Sequence, residues 1–259
     1  MNKKRHIAGA KRSFEEILEA LPSKRKWAEA VISRVSRIVA LPDRAEVLDV
    51  GSAAGSFVVA CSQLGYRCKG IEPSAEARHN AIRLSEHVGF PICVVDGTAE
   101  SIPYKDETFD MVHASSVIEH VLDVDKAFEE IYRVLKVEGL FWFNTASAMC
   151  PRQAEIRGFP LFGWYPDSLK RRIINWVKDA RPHLVGYTRT PAINWFTPWK
   201  ARNLLRRHGF KAVYDRWDLR GENEGGRVHG LALRVIRSTK LTKLIADVVV
   251  PGCSYVAIK

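Results

Sequence analysis

Apolar and polar residues recur with two different periods between residues 45 and 145. Short apolar runs bounded by glycine, proline or acidic residues are typical of buried strands, and the stretches between them repeat apolar residues every three or four positions, as helices do. The predicted elements are strand 45–50, helix 56–65, strand 67–71, helix 75–88, strand 91–95, strand 109–113, helix 123–136 and strand 139–145. This order predicts a doubly wound α/β fold, in which helices cover both faces of a mostly parallel sheet.

Helical periodicity also flanks this core. Apolar positions between residues 13 and 40 predict two N-terminal helices, interrupted at Pro22 and placed as a lid over a ligand cleft. The chain is expected to have four parts: a helical extension over 1–44, the core over 45–147, a lid and substrate insertion over 148–196, and the C-terminal part of the domain over 197–259.

The insertion holds an aromatic stretch followed by a basic amphipathic helix. Asp167 and Ser168 form the expected helix cap. One face of the helix is predicted to carry Leu169, Ile173, Trp176 and Val177. We interpret the helix as a lid packed over the substrate, and the same pattern is compatible with contact at the surface of an anionic membrane. Five aromatic residues are predicted to line an apolar substrate pocket: Phe159, Phe162, Trp164, Tyr165 and Trp195.

A weaker amphipathic pattern covers residues 231–249. Apolar residues alternate there with arginine and lysine. We interpret it as a helix packed on the core.

The turn after the first strand is the strongest candidate for ligand binding. The stretch Val47–Phe57 predicts a strand, a tight turn and a helix, and Gly51 and Gly55 let the backbone bend and approach a ligand closely. Many turns between a strand and a helix carry two glycines only because close packing requires them, without any bound ligand. Ligands of doubly wound sheets bind at the carboxyl ends of the strands, where Glu72 and Asp96 follow the second and third strands. Glu72 suits the hydroxyls of a ribose, and Asp96 suits an exocyclic amine such as that of adenine.

Composition limits the class of protein. With 46% hydrophobic residues the chain is expected to be globular, and no apolar run reaches the length of a membrane span. The N-terminus lacks the apolar region of a secretory signal, so a cytoplasmic location is expected. The five cysteines are scattered without a Cys-x-x-Cys pair, which argues against a disulfide framework or a zinc site.

The net charge of +11 is unevenly distributed. Residues 45–147 carry 8 basic and 16 acidic side chains, whereas the segments on both sides are basic. Such flanks favour an anionic partner, either a nucleic acid, an acidic substrate or an anionic membrane surface, and a solvated cationic surface explains them equally well.

Six short motifs occur in a recognisable order. They are VLDVGSAAGS at 47–56, GIEPS at 70–74, DGTAE at 96–100, FDMV at 109–112, VIEHV at 117–121 and RVLKxxG at 133–139. Together they resemble class I S-adenosylmethionine-dependent methyltransferases, and more narrowly the small-molecule group that includes ubiquinone-biosynthesis methyltransferases. The segment Trp195–Phe210 resembles the stretch before the sixth strand of that family, and Cys253–Ile258 resembles its antiparallel seventh strand. The resemblance therefore implies a seven-stranded Rossmann-like methyltransferase fold.

The resemblance also implies S-adenosylmethionine as cofactor and assigns roles at matching positions. Asp49, Gly51 and Gly55 would surround the methionine part, Glu72 would hold the ribose, and Ser115 would border the reaction cleft. The remaining residues of the implied cofactor site are Ser52, Ala53, Pro73, Asp96, Gly97 and Thr98. Ala53 replaces the middle glycine of the family's turn, and its methyl group is expected to narrow the turn.

Three histidines are candidates for a general base: His113, His120 and His183. A base is needed only where the acceptor must lose a proton. No metal site is expected, because Ser116 stands where the ubiquinone O-methyltransferases that the chain resembles have an acidic residue.

The leading hypothesis is an enzyme that methylates a small-molecule, lipid-like acceptor, with oxygen preferred as the acceptor atom. A nucleic-acid methyltransferase is disfavoured, because strand four ends in His113-Ala-Ser-Ser rather than in a base-holding Asn/Asp-Pro-Pro-Tyr/Phe stretch. A non-catalytic cofactor-binding protein that docks on membranes or partner enzymes is the third alternative. The motifs from 117 onward argue, by resemblance, against a nicotinamide dehydrogenase.

Overall fold

The computed structural model describes residues 13–153, 156–184, 192–222, 224 and 226–259. Within these residues one sheet contains seven strands in the order β3-β2-β1-β4-β5-β7-β6. The strands are β1 (Glu46–Val50), β2 (Arg67–Ile71), β3 (Cys93–Val95), β4 (Phe109–Ser115), β5 (Leu135–Thr145), β6 (Ala212–Asp215) and β7 (Cys253–Ile258). Only β7 runs antiparallel to its neighbours, β5 and β6. The predicted doubly wound, mostly parallel sheet is confirmed.

Helices cover both faces of this sheet. Among the described residues they are α1 (Phe14–Val35), α2 (Ser56–Gln63), α3 (Ala75–Val88), α4 (Val124–Val134), α5 (Asp167–Ala180), α6 (Pro198–Arg207), α7 (Arg216–Leu219), α8 (Gly226–Ser238) and α9 (Lys240–Val249). Apolar side chains of α1 and α2 pack on one face of the sheet, and those of α4 and α6 pack on the other. β1 and β4 are buried between the two layers. Because these two strands are parallel neighbours, their carboxyl ends lie at the same edge of the sheet.

One continuous helix replaces the two predicted at the N-terminus. Pro22 lies inside α1, whose buried side chains Ile17, Ala28 and Val35 form one stripe on both sides of the proline. Ile17 packs on Val59 of α2, and the later part of α1 packs on α2 and the sheet. These tertiary contacts compensate for the backbone hydrogen bond that proline cannot donate.

The buried face of α5 also differs from the prediction. The helix buries Lys170, Ile174 and Val177, whereas Leu169 and Trp176 are exposed. Lys170 can be buried because its ammonium lies 3.2 Å from Asp167 and over the ring of Trp195. The predicted side-chain cap is absent: the N-cap residue of α5 is Pro166.

The single helix predicted over 231–249 is two helices. Thr239 separates α8 from α9 and caps α9 by accepting a hydrogen bond from the amide of Thr242. Several of their apolar residues are exposed rather than packed on the core: Val228, Leu231, Val235, Leu241, Leu244, Ile245 and Val249. The predicted packing on the core therefore holds for Leu233 and Ile236, which pack with Trp217, and fails for these exposed residues.

Candidate active site

A cavity of about 850 Å³ lies at the carboxyl edge of the parallel strands. Its walls come from the turn after β1, the residues that follow β4 and β5, the start of α3, one side of α1, and the segments around α7 and before β7. This volume lies in the range of small-molecule and cofactor sites, ~300–1,000 Å³.

The turn after β1 bends through left-handed backbone conformations. Gly51, Ala53 and Gly55 have φ angles of +68°, +48° and +72°. The amide of Ser52 donates to the carbonyl of Ile71 at 3.0 Å, which fixes the turn to the end of β2. A Cβ on Gly51 would lie 2.5 Å from a methyl group of Val117. The glycines thus serve packing and backbone conformation together, and the turn still forms a cavity wall through Gly51, Ser52 and Ala53.

Glu72 follows β2 and organises the same turn. Its carboxylate accepts hydrogen bonds from the amides of Ala53 at 3.0 Å and Ser74 at 2.9 Å, one on each oxygen. Each carboxylate oxygen has a second acceptor position. Glu72 therefore retains the capacity to accept from a pair of ligand hydroxyls.

The predicted adenine-edge residues lie apart from the cavity. The Asp96 carboxylate contacts the guanidinium of Arg78 at 2.6 Å, and 75% of its side chain is exposed. Thr98 pairs through its backbone with Ser101. The cavity lining contains Asp49, Gly51, Ser52, Ala53 and Ser115 of the predicted set; the others, outside the lining, are Gly55, Glu72, Pro73, Asp96, Gly97 and Thr98.

His113 and Asp49 form a buried pair at the cavity wall. Nδ1 of His113 lies 2.7 Å from Oδ1 of Asp49. The imidazole is stacked between Phe57, with ring centres 3.8 Å apart, and Trp142, at 4.7 Å. Nε2 of His113 has no hydrogen-bond partner among the residues that the structure describes. The stack and the carboxylate hold the ring in one orientation.

The other two candidate histidines differ in position. His120 follows β4, is half-buried and lines the cavity. His183 lies in an exposed 3-10 turn, Pro182–Leu184, and is outside the cavity lining. Only His113 and His120 are therefore brought to the site.

The substrate pocket predicted from aromatic residues of the insertion is wrong. Phe159, Phe162, Tyr165 and Trp195 pack with α5 into a small core of their own, and Trp164 is exposed. None of the five lines the cavity, to which the described part of the insertion contributes Gln153. These four aromatic side chains are buried or partly buried because they pack against the apolar face of α5.

Several residues of the cavity wall were not predicted from the sequence. Asn144 and Thr145 end β5 at the same edge as the predicted residues, so the strand-end rule that selected Glu72 could have found them. The wall also includes Lys24, Trp27 and Arg34 of α1, and Arg216 and Arg220 near α7. No motif marks these residues, because long-range packing brings them to the cavity.

Among the described residues, no group of three or more histidine, cysteine or acidic side chains is arranged to hold a metal ion. No helix in the described ranges has both the length and the apolar character needed to cross a bilayer.

Comparisons with known proteins show which family the core of the chain resembles. Residues 48–143 match the family model described as a methyltransferase domain. YcgJ of Bacillus subtilis, an uncharacterized methyltransferase, is 37% identical over 96 residues, which cover 37% of this chain and 38% of YcgJ. The ubiquinone biosynthesis O-methyltransferase of a Methylobacterium strain is 27% identical over 144 residues, which cover 52% of this chain and 54% of that protein. The chain thus spans about half or less of the length of these relatives.

Solved structures share the fold. The crystal structure of YcgJ matches with a TM-score of 0.51 at 19% identity, covering 93% of this chain and 96% of that one. Phosphoethanolamine N-methyltransferase 2 of Haemonchus contortus, solved in complex with S-adenosyl-L-methionine, matches with a TM-score of 0.55 at 16% identity, covering 95% of this chain and 57% of that one. The resemblance to methyltransferases and the predicted fold class are confirmed.

Proposed function

We propose that this protein, whose residues 48–143 match a methyltransferase domain, is an enzyme that transfers a methyl group from S-adenosylmethionine to a small-molecule acceptor. The observation that carries the proposal is the continuity of the cavity, which joins the turn after β1 to polar residues after β4 and β5. A space of about 850 Å³ accommodates a cofactor beside an acceptor. Holding both reactants in one cavity is the main requirement for direct transfer between them.

The residues near the turn fit the polar groups of the cofactor. Asp49 is buried at the wall, where a carboxylate suits a cationic amino group, and Gly51 lets the backbone approach the methionine part closely. Glu72 would accept hydrogen bonds from the ribose hydroxyls, whereas Asp96 and Thr98, proposed for the adenine edge, lie outside the cavity lining. When bound, the cofactor supplies a methyl group already activated on a sulfonium, so the protein chiefly positions the acceptor.

Oxygen is the proposed acceptor atom, with His120 as the general base. His120 lies on the β4 side of the cavity, whereas Nδ1 of His113 is engaged by Asp49 and His183 lies outside the lining. The similarity to a ubiquinone biosynthesis O-methyltransferase supports a lipid-like hydroxyl acceptor. With an identified acceptor, His120→Gln should lower kcat and alter the acid limb of the pH–rate profile while KM for the cofactor stays unchanged.

Calorimetry with cofactor-type ligands tests the proposal. The purified chain should bind S-adenosylhomocysteine and should not bind NAD. A screen of metabolites with methyl-labelled cofactor then identifies the acceptor. Binding of NAD in place of S-adenosylhomocysteine would overturn the proposed function.

Peripheral contact with an anionic membrane is proposed for α5. Trp164 and Trp176 are each 55% exposed, and Leu169 is 43% exposed. Arg171, Arg172 and Lys178 are exposed on the same helix. Aromatic and cationic side chains together suit an interface where the rings enter the headgroup region and the cations meet anionic lipids.

A further inference from the structure

Three arginines line the cavity. Arg34 comes from α1, Arg216 from α7, and Arg220 follows α7. α7 directly follows β6, the edge strand at the end of the sheet opposite β3. Arg216 and Arg220 therefore come from a different part of the chain than Asp49 in β1 and Glu72 after β2.

Two of the three positive charges are compensated. Arg216 lies 3.2 Å from the carboxylate of Asp247 and donates to the carbonyl of Val250 at 2.7 Å. Arg34 lies 3.2 Å from Glu224, which also pairs with Arg37. The pair Arg34–Glu224 is thus part of a cluster in which two arginines share one carboxylate.

Arg220 has no such partner within the described part of the chain. It makes no ion pair with any residue that the structure describes, and its guanidinium carbon lies 5.7 Å from the ring centre of Trp217. Burial, followed by the positive charges of Arg34 and Arg216, lowers the pKa of Arg220, and Glu224 only partly opposes this. A half-buried guanidinium without a carboxylate is costly unless a ligand supplies the anion.

A second cavity of about 430 Å³ begins at the same side chain. Arg220 lines both cavities, and the second one lies between α8 and α9 over Trp217. This second cavity is an apolar groove, because most of its wall consists of apolar side chains: Ala232, Leu233, Val235, Ile236, Ile245, Ala246, Val249 and Val250. Arg220 therefore stands at the junction of a polar site and an apolar groove.

We infer that the methyl acceptor is an anionic amphiphile, whose carboxylate or phosphate binds Arg220 and whose apolar chain lies in the apolar groove. The nucleophilic atom of the acceptor remains in the main cavity. A guanidinium pairs with either oxyanion through two parallel hydrogen bonds, which also orients the ligand. The inference rests on the proposed function, since it names the class of molecule that the proposed enzyme methylates.

The anionic part is tested with octanoate, octyl phosphate and octanol, measured by calorimetry on the full chain saturated with S-adenosylhomocysteine at constant ionic strength. At least one of the two anions should bind about tenfold or more tighter than octanol, and Arg220→Met should remove that difference. Arg220→Lys should retain part of it, because the charge remains without the planar fork. The matched control is Arg234→Met, since Arg234 is 71% exposed, pairs with Glu222 and lines neither cavity. Equal binding of octanol and both anions to the wild type, or equal losses in Arg220→Met and Arg234→Met, overturns the inference.

The groove is tested by chain length. From acetate to octanoate the affinity should rise by up to about fourfold for each buried methylene. Val235→Asp should abolish this rise, whereas Leu231→Asp should preserve it, because both side chains are exposed on α8 and only Val235 lines the groove. Affinity independent of chain length in the wild type removes the apolar half of the inference.

The cofactor's own carboxylate is the competing source of the anion. Arg220→Met should bind S-adenosylhomocysteine and its decarboxylated analogue with the same ratio of affinities as the wild type. A loss confined to S-adenosylhomocysteine would assign Arg220 to the cofactor and overturn the inference, with the proposed function intact. Failure of the wild type to bind either nucleoside would instead overturn the proposed function, and octanoate binding without cofactor would still decide whether Arg220 binds anions.

Discussion

Nδ1 of His113 lies 2.7 Å from Oδ1 of Asp49, in the buried wall of the cavity. A carboxylate only accepts hydrogen bonds, so the hydrogen in this contact is assigned to Nδ1. Phe57 and Trp142 stack on the two faces of the ring and prevent it from turning. Asp49 is thereby held in one orientation, and we infer that His113 positions the carboxylate rather than acting on the acceptor.

Removing the Nδ1 donor should therefore weaken cofactor binding. His113→Phe preserves the aromatic stack, and we expect the affinity for S-adenosylhomocysteine to fall about tenfold, the equivalent of one lost hydrogen bond of ~1–1.5 kcal/mol. Calorimetry measures this change. His113→Asn, which retains a side-chain donor, should recover part of the affinity. Unchanged cofactor affinity together with a lost kcat would contradict this role and assign His113 to proton transfer.

Glu72 should contribute to cofactor binding by accepting hydrogen bonds from the ribose hydroxyls. Glu72→Ala should weaken S-adenosylhomocysteine binding by ~1–3 kcal/mol, because a carboxylate that accepts from ligand hydroxyls is removed. The side chain also accepts hydrogen bonds from the amides of Ala53 and Ser74. Part of the lost affinity therefore arises because the turn loses these two hydrogen bonds. A 2′,3′-dideoxy analogue separates the two contributions, since the ribose share of the loss disappears with it. Glu86→Ala, an exposed acid on α3, is the control, and an equal effect of both variants on the parent ligand would contradict the assignment.

The sheet and its edge could be predicted from the sequence because local patterns determine them. The predicted bounds of β2 and α3 agree with the structure, and Gly89 ends α3 in the left-handed conformation that glycine adopts readily. Glu72 was found because it follows a strand of a parallel sheet, and Asp49 was assigned through the resemblance of its motif to methyltransferases. Periodicity and strand order contain this information directly.

The opposite wall of the cavity could not be predicted in the same way. Arg34 and Arg220 are 186 positions apart and meet only through the packing of α1 and Leu219 on the same sheet face. The helical periodicity of α5 could be read from the sequence, but its buried face could not. Burial of Lys170 depends on Trp195, which lies in a different segment. Contacts between segments that are distant in the sequence produce no periodic pattern of apolar and polar residues, so they could not be predicted.

Strain in the turn after β1 should be measurable at Ala53. Its φ of +48° lies in the left-handed region, which costs a residue with a Cβ about 1–2 kcal/mol. Ala53→Gly should raise the free energy of unfolding by ~0.5–1 kcal/mol, because the relief of strain exceeds the added entropy of glycine in the unfolded chain. Chemical denaturation measures this gain. Ala54→Gly is the control and should show no gain, since Ala54 is absent from the residues with positive φ. A loss of stability in Ala53→Gly would contradict the expected strain.

The membrane contact proposed for α5 predicts that Trp176 matters more than an equally exposed tryptophan elsewhere. In flotation with vesicles that contain anionic phosphatidylserine, Trp176→Ser should reduce the bound fraction severalfold at low salt, because the ring leaves the interface. Trp199→Ser is the matched control: Trp199 is also 55% exposed, but it lies on α6. Binding should fall with added salt, since Arg171 and Arg172 contribute through anionic headgroups. Absence of wild-type flotation at low salt, or equal losses in the two tryptophan variants, would exclude α5 as the contact.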